Sequence, residues 1–295
     1  MSQRTALPAT ALPDATPPLT GLSATGLSAA AVPADVLDNP AWAALTGPHA
    51  HLAERLGRAA RYPVDVSPFT ALADPADPQA WRDLAALAGP PGSTTPVTAT
   101  DTAPEGWDVL ERGHGTQLVA TGLQTEPDPE AVELGPDDVP EILDLVARTR
   151  PGPFLPRTVL LGRYLGLRRG GRLVAMAGER LRLPGWTEIS AVCTDPDHRG
   201  RGHATRLVRA VAHGIEQRGD TPFLHTAADN TRAIGLYESL GFTLRRHTAF
   251  LLVRTPAEPA PGPSAKTAAE IAAETAAEPG AEPAARLVPD GGTAR

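Results

Sequence analysis

Leu52 and Leu56 stand four apart within residues 47–61, with His49, Glu54, Arg55 and Arg58 around them, and that spacing predicts an amphipathic helix. Val64 and Val66 then alternate with Asp65 and Ser67, so residues 62–70 read as a strand. Trp81, Leu84 and Leu87 give residues 78–88 the period of a second helix. Residues 89–104, rich in Pro, Gly, Ser and Thr, read as a loop. The apolar runs 107–110 and 116–120 flank Gly113-His114-Gly115 and read as a hairpin. Folding is expected to begin near Asp35, and residues 35–125 form a first, smaller α/β half. Residues 1–34 show neither period and are expected to be a flexible leader.

Residues 121–130, with Pro127 and Pro129, are expected to be a linker to a second half at 130–254. There the pattern predicts a strand at 131–134 and a helix at 137–148 whose apolar positions include Ile142, Leu145 and Val146. Three prolines keep 150–157 irregular, and 159–164 reads as a short helix. Residues 166–169 and 173–183 pair across Gly171, and Pro184-Gly185 turns the chain into a strand carrying Ile189, Val192 and Thr194. A helix at 205–218, a strand at 222–227, a helix capped by Asn230 and Gly241, and one long or two short strands at 242–253 follow. From 255 to 295 the composition turns to Ala, Glu and Pro, a tail expected to be disordered, with a weak helical tendency at 266–278. Asp77-Pro78 and Asp138-Val139-Pro140 introduce helices in both halves, which suggests that the first half is a worn-down copy of the second.

Chemistry concentrates after the strand at 188–194. Gly200 and Gly202 let the backbone curl and turn successive N–H groups outward, and the helix start behind them adds unpaired donors. Arg199 and Arg201 place charge at the rim of such an anion cradle. A P-loop is excluded, since the sole lysine is Lys266, and a dinucleotide fingerprint fails at Thr205. Arg199-Gly200-Arg201-Gly202-His203-Ala204 fits R-x-x-G-x-A and resembles the coenzyme A pyrophosphate loop of the GNAT superfamily of acyl-CoA-dependent N-acyltransferases. Asn230 and Tyr237 lie two turns apart in a stretch resembling the family's N-x-x-A-x-x-x-Y-x-x-x-G-F helix.

The resemblance implies an α/β (α+β) fold with a mixed, mostly antiparallel central sheet, a splayed strand pair and flanking helices over 130–254. It implies acetyl-CoA as co-substrate, held by Arg199, Gly200, Arg201, Gly202, His203, Ala204 and Thr205 at the pyrophosphate. Val192, Cys193 and Thr194 would hold the pantetheine arm, and Asn230 would fix the arm or the backbone around it. Tyr237 would protonate the departing thiolate. Glu188, fourteen residues before Gly202, would act as base through water, its pKa raised by partial burial. Arg150, Phe154 and Arg157 are candidate acceptor contacts, and the first half would wall the acceptor pocket.

Composition narrows the remaining possibilities. The chain has 295 residues, 41% of them apolar, but 32 prolines and only 4% aromatics, so the folded part is shorter than the length suggests. With 27 basic and 34 acidic side chains the net charge is −7, against a general nucleic-acid or anionic-membrane binder. Cys193 is the only cysteine and reads as an inert strand thiol. His49 and His51, two apart, read as a solvated helix start, and no metal is expected. No apolar run suits a membrane helix, prolines interrupt any signal peptide, and the cytoplasm is the expected location. A small-molecule or peptide amine is the expected acceptor, its identity and the oligomeric state remaining open. Two other readings stand beside acetyl transfer: a non-catalytic acyl-CoA sensor, favoured by an exposed Glu188 and an inward Tyr237, and nucleic-acid binding through Arg199, Arg201, Arg206 and Arg209.

Overall fold

The structure, a computed structural model, describes residues 35–257, so the expected leader and nearly all of the expected tail lie outside the described residues. The first half runs α1 (Pro40–Thr46), β1 (Glu54–Leu56), β2 (Ala59–Arg61), β3 (Thr70–Leu72), α2 (Pro78–Ala88), β4 (Thr94–Thr98) and β5 (Asp108–Ala120). The second runs β6 (Val132–Leu134), α3 (Val139–Thr149), β7 (Tyr164–Arg169), β8 (Arg172–Leu183), β9 (Trp186–Thr194), α4 (His203–Gln217), β10 (Thr221–Ala227), α5 (Thr231–Leu240) and β11 (Phe242–Arg254). All strands of the described residues join one eleven-stranded sheet in the order β1-β2-β3-β4-β11-β5-β10-β9-β8-β7-β6. Only β3/β4 and β9/β10 pair in parallel, each pair spanned by one helix, α2 or α4.

The helices form where local signals agree. Asp77 caps α2 by accepting from Gln79 N at 2.8 Å with Pro78 at the first position, and Asn230 caps α5 by accepting from Ala233 N at 3.1 Å. Gly241 ends α5 at φ +102, where a Cβ would meet the Gly122 carbonyl group. Along α4, Leu207, Val208, Val211, Ala212 and Ile215 form one buried face in a core shared with Leu167, Val174 and Ile189.

Several expectations for the first half are corrected. Residues 47–61 do not form a helix: α1 stops before Gly47-Pro48, and β1 and β2 form a hairpin about Gly57 and Arg58. Gly57 takes φ +52, Arg58 N donates to Asp83 Oδ2 at 2.7 Å, and Leu56 is exposed. The expected strand at 62–70 is replaced by irregular chain leading into β3, with Val64 exposed, and the expected loop at 89–104 contains β4. The hairpin at 107–120 is instead the single strand β5. Gly113 is there for close approach, since its Cβ would collide with the ring of Phe250 on β11. Residues 158–161 make only a 3-10 turn.

The halves are not separate units within the described residues. β11 lies between β4 and β5, while β5 lies between β11 and β10. A shared core joins Leu37, Ala41 and Leu45 to Leu181, Leu183 and Phe223. Each half contributes a three-strand antiparallel meander, a helix and a parallel fourth strand: β1–β4 with α2, and β7–β10 with α4. Apart from edge strand β6, exchanging the labels of the halves turns the strand order into its own reverse, with β5 and β11 crossing to the other half. No helix among the described residues is long and apolar enough to cross a membrane.

Candidate functional site

β9 and β10 pair from Trp186–Thr221 to Ile189–Leu224 and then part. Beyond that point β10 follows β5, through His225–Gln117, Thr226–Thr116 and Ala227–Gly115, while β9 stays on β8. A bulge bends β9 at the parting, with Ala191 at φ +53 and a register shift opposite Met176 and Gly178. The opening is a cleft of about 1560 Å³ that takes in Val192 to Thr194, the turn after β9, Tyr237 and part of the first half.

At one end lies the cradle. Asp195 anchors the turn: it accepts from Asp197 N at 3.1 Å and is paired by Arg148 at 3.1 Å and Arg172 at 3.2 Å. Gly200 and Gly202 both take φ +74, both line the cleft, and a Cβ on either would meet no atom within 4 Å. Arg206 N makes the first helical bond, to Gly202 O at 3.0 Å. Among the described residues no group outside α4 accepts from the amides of Gly200 to Thr205. His203 is 5% exposed with both ring nitrogens unpartnered, and His198 Nδ1 is buried without a partner too. Burial, reinforced by the charges of Arg169, Arg206, His198 and Arg201, holds the His203 ring below its ordinary pKa. Open amides, a helix start and unsatisfied buried imidazole fit a phosphate group.

The four arginines proposed for nucleic acid are divided. Arg206 is paired with Asp128 at 2.6 Å and Glu130 at 2.7 Å, and Arg209 with Glu126 at 3.2 Å, so the linker 121–130 is strapped along α4. Arg199 Nε rests on Thr194 O and Arg201 Nη2 on Asp197 O, each at 3.3 Å. Of the three candidate acceptor contacts, only Arg150 lines the cleft. Phe154 is buried edge-on against Tyr164, and Arg157 is paired with Asp65.

Deeper in the cleft, Tyr237 is 8% exposed and packs edge-on against Phe242. Burial, and secondarily Cys193, pushes its hydroxyl up to about 12. Cys193 is buried, its thiol pushed up to about 11 chiefly by burial, in keeping with an inert role. Asn230 spends its side-chain oxygen on the cap of α5 and still borders the cleft.

Glu188 departs from expectation. It is fully buried, and burial would raise its pKa, but the charge and hydrogen bonds of Arg180, with His225, outweigh that and hold it at about 2. Arg180 Nε donates to Oε2 at 2.8 Å and Nη2 to Oε1 at 2.5 Å, while His225 Nδ1 meets Oε1 at 2.7 Å. A carboxylate so engaged is a poor proton acceptor, so the raised pKa assigned to it is overturned. Arg180, His225 and Gln117 escaped the sequence reading. Their signal was Arg180 itself, an arginine inside a mostly buried strand, for which the hairpin at Pro184-Gly185 brings Glu188 nearly opposite. His49, expected to be solvated, is buried with Nδ1 2.9 Å from the Tyr62 hydroxyl, and no group of metal-binding residues occurs among the described residues.

The FR47-like protein family pattern matches residues 164–251. The chain is 40% identical over 82 residues to the N-alpha-acetyltransferase RimI of Mycobacterium tuberculosis, covering 27% of this chain and only 51% of that relative, about half its length. It is 32% identical over 119 residues to the [ribosomal protein bS18]-alanine N-acetyltransferase of Escherichia coli K12, covering 37% of this chain and 80% of the relative. A solved structure from Novosphingobium aromaticivorans, assigned to the GNAT acetyltransferases, matches with 39% identity and a TM-score of 0.68 over 74% of this chain and 98% of that one. That span is too long for the second half alone.

Proposed function

The chain belongs to the GNAT family of acyl-CoA-dependent N-acetyltransferases, and from that premise we propose that it moves an acetyl group from acetyl-CoA to a primary amine by direct attack in a ternary complex. The observation that carries the reading is the cradle: open amides from Gly200 to Thr205 beside the buried, unpartnered His203, at the mouth of the gap between β9 and β10. Acetyl-CoA supplies the activated acyl group. In this reading the amides of Gly200 to Thr205 and the His203 ring take the pyrophosphate, with Arg199 and Arg201 at the rim. The free edge of β9 from Val192 through Cys193 to Thr194 pairs with the pantetheine amides, and the Asn230 side-chain nitrogen steadies that arm.

The amine nitrogen bonds to the acyl carbon, the carbon–sulfur bond breaks, and Tyr237, buried and protonated at neutral pH, gives its proton to the departing sulfur. The proton lost by the amine passes to cleft water. Glu188 holds Arg180 and His225 in place rather than taking that proton. The non-catalytic sensor was favoured by an exposed Glu188 and an inward Tyr237; Glu188 is wholly buried, and Tyr237, though buried against the core, lines the cleft. A peptide N-terminus is the narrower acceptor reading, favoured by the relative named for the alanine of a ribosomal protein. Calorimetric titration with acetyl-CoA, then thiol release with a panel of amines, tests the proposal; absence of binding overturns it.

A further inference from the structure

Arg180 makes hydrogen bonds with two of its three guanidinium nitrogens, Nε and Nη2, both to Glu188. The rest of that buried network is closed. Gln117 donates its amide N–H to Leu37 O at 2.9 Å, its carbonyl accepts from Arg245 at 2.9 Å, and its nitrogen stands 3.1 Å from His225 Nε2. Both His225 ring nitrogens are engaged, Nε2 3.1 Å from the Gln117 amide nitrogen and Nδ1 2.7 Å from Glu188 Oε1. The exception is Arg180 Nη1, which among the described residues makes no hydrogen bond and is not sealed from solvent. The guanidinium lies over the Phe69 ring, its Cζ 4.8 Å from the centroid, and both residues line the cleft with Pro40 and Pro68 of the first half. This corner offers one donor, a charge already balanced by Glu188, and apolar walls. An uncharged oxygen suits it; a carboxylate would bring an unbalanced charge into a half-dry pocket.

We propose that Arg180 recognises the acceptor: its Nη1 donates to an uncharged carbonyl oxygen beside the acceptor's amine, with Phe69 holding the guanidinium plane. The inference rests on the acetyltransferase reading. It assigns the first half a part in acceptor choice that the cofactor cradle does not have.

The test compares acetylation of alaninamide with that of sec-butylamine, which keeps the amine but replaces the carbonyl group. Differences in the amines' own ionisation cancel between wild type and variant. Arg180→Lys preserves a cation for Glu188 while removing the forked donor. It is expected to lower kcat/KM for alaninamide about tenfold, the size of one hydrogen bond. Turnover of sec-butylamine and the Kd for acetyl-CoA should stay within about twofold. An equal fall for both amines would mean a purely structural role, and no fall for either would remove Arg180 from acceptor binding. Phe69→Leu, which leaves the ion pair whole, is expected to shift the same ratio and serves if Arg180→Lys does not fold. Wild type that acetylates amines without any carbonyl-dependent change in either variant sinks the inference alone; wild type that binds no acetyl-CoA sinks the parent reading with it.

Discussion

Burial acts on Glu188 and Tyr237 in the same direction with opposite outcomes. Desolvation raises both, but Arg180 reverses the effect at Glu188, whereas at Tyr237 burial, with Cys193, carries the hydroxyl up to about 12. A phenol keeps its proton at neutral pH even at its ordinary pKa, and burial makes it a weaker acid still, so its proton passes only as charge builds on the departing sulfur. Tyr237→Phe is therefore expected to cut kcat about 10²-fold or more while the Kd for acetyl-CoA stays within twofold; thiol-release kinetics beside calorimetry would show it, and undiminished turnover would remove Tyr237 from its role. His49 carries a different consequence. Burial, helped by His51 and Arg182, lowers its pKa from 6.5 to about 4, so the unfolded chain binds the proton more readily. Its contribution to stability is complete above pH 6.5 and is lost as pH falls toward 4. His49→Gln should flatten the fall in melting temperature across that window, and parallel curves for variant and wild type would count against it.

Among the elements, those whose signals are local were legible in the sequence. Asp77-Pro78 announced α2, and Asn230 with Gly241 bracketed α5, because caps depend on neighbours in the chain. The strands of the first half were not legible, because their identity depends on distant partners. Gly113 reads as a turn residue until Phe250 occupies the space its Cβ would need. Likewise the cradle could be read from Gly200 and Gly202, while the bulge at Ala191 that bends β9 away from β10 left no residue-type signal, alanine being an ordinary strand occupant with an unusual φ of +53. The cradle's glycines make a direct prediction. Gly202→Ala forces a Cβ into the left-handed region, costing about 1–2 kcal/mol, at a residue that lines the cleft. The Kd for coenzyme A should rise at least tenfold by calorimetry. Gly219→Ala, at φ +82 with equal free space but outside the cleft, should lose similar stability and keep its affinity. Equal affinities for the two variants would reject the cradle as the phosphate site.

For the whole molecule, the exchange of β5 and β11 determines what can fold alone. Among the described residues β11 pairs only with β4 and β5, both from the first half, and β10 has β5 along the side away from β9. A chain cut to residues 126–257 would keep the cradle, Tyr237 and Glu188, yet leave β11 with no neighbour and strip β10 of one, exposing unpaired backbone and the apolar faces beneath. Gln117, which sets the orientation of His225, would go with β5. Such a fragment is expected to lack the near-ultraviolet circular dichroism of the full chain and to show no thermal shift with acetyl-CoA; mixing it with residues 35–125 should restore both, since the exchanged strands are the interface. A monomeric 126–257 that binds acetyl-CoA as tightly as the full chain would mean that β11 can pair directly with β10, and that the first half is an attachment rather than half of the sheet.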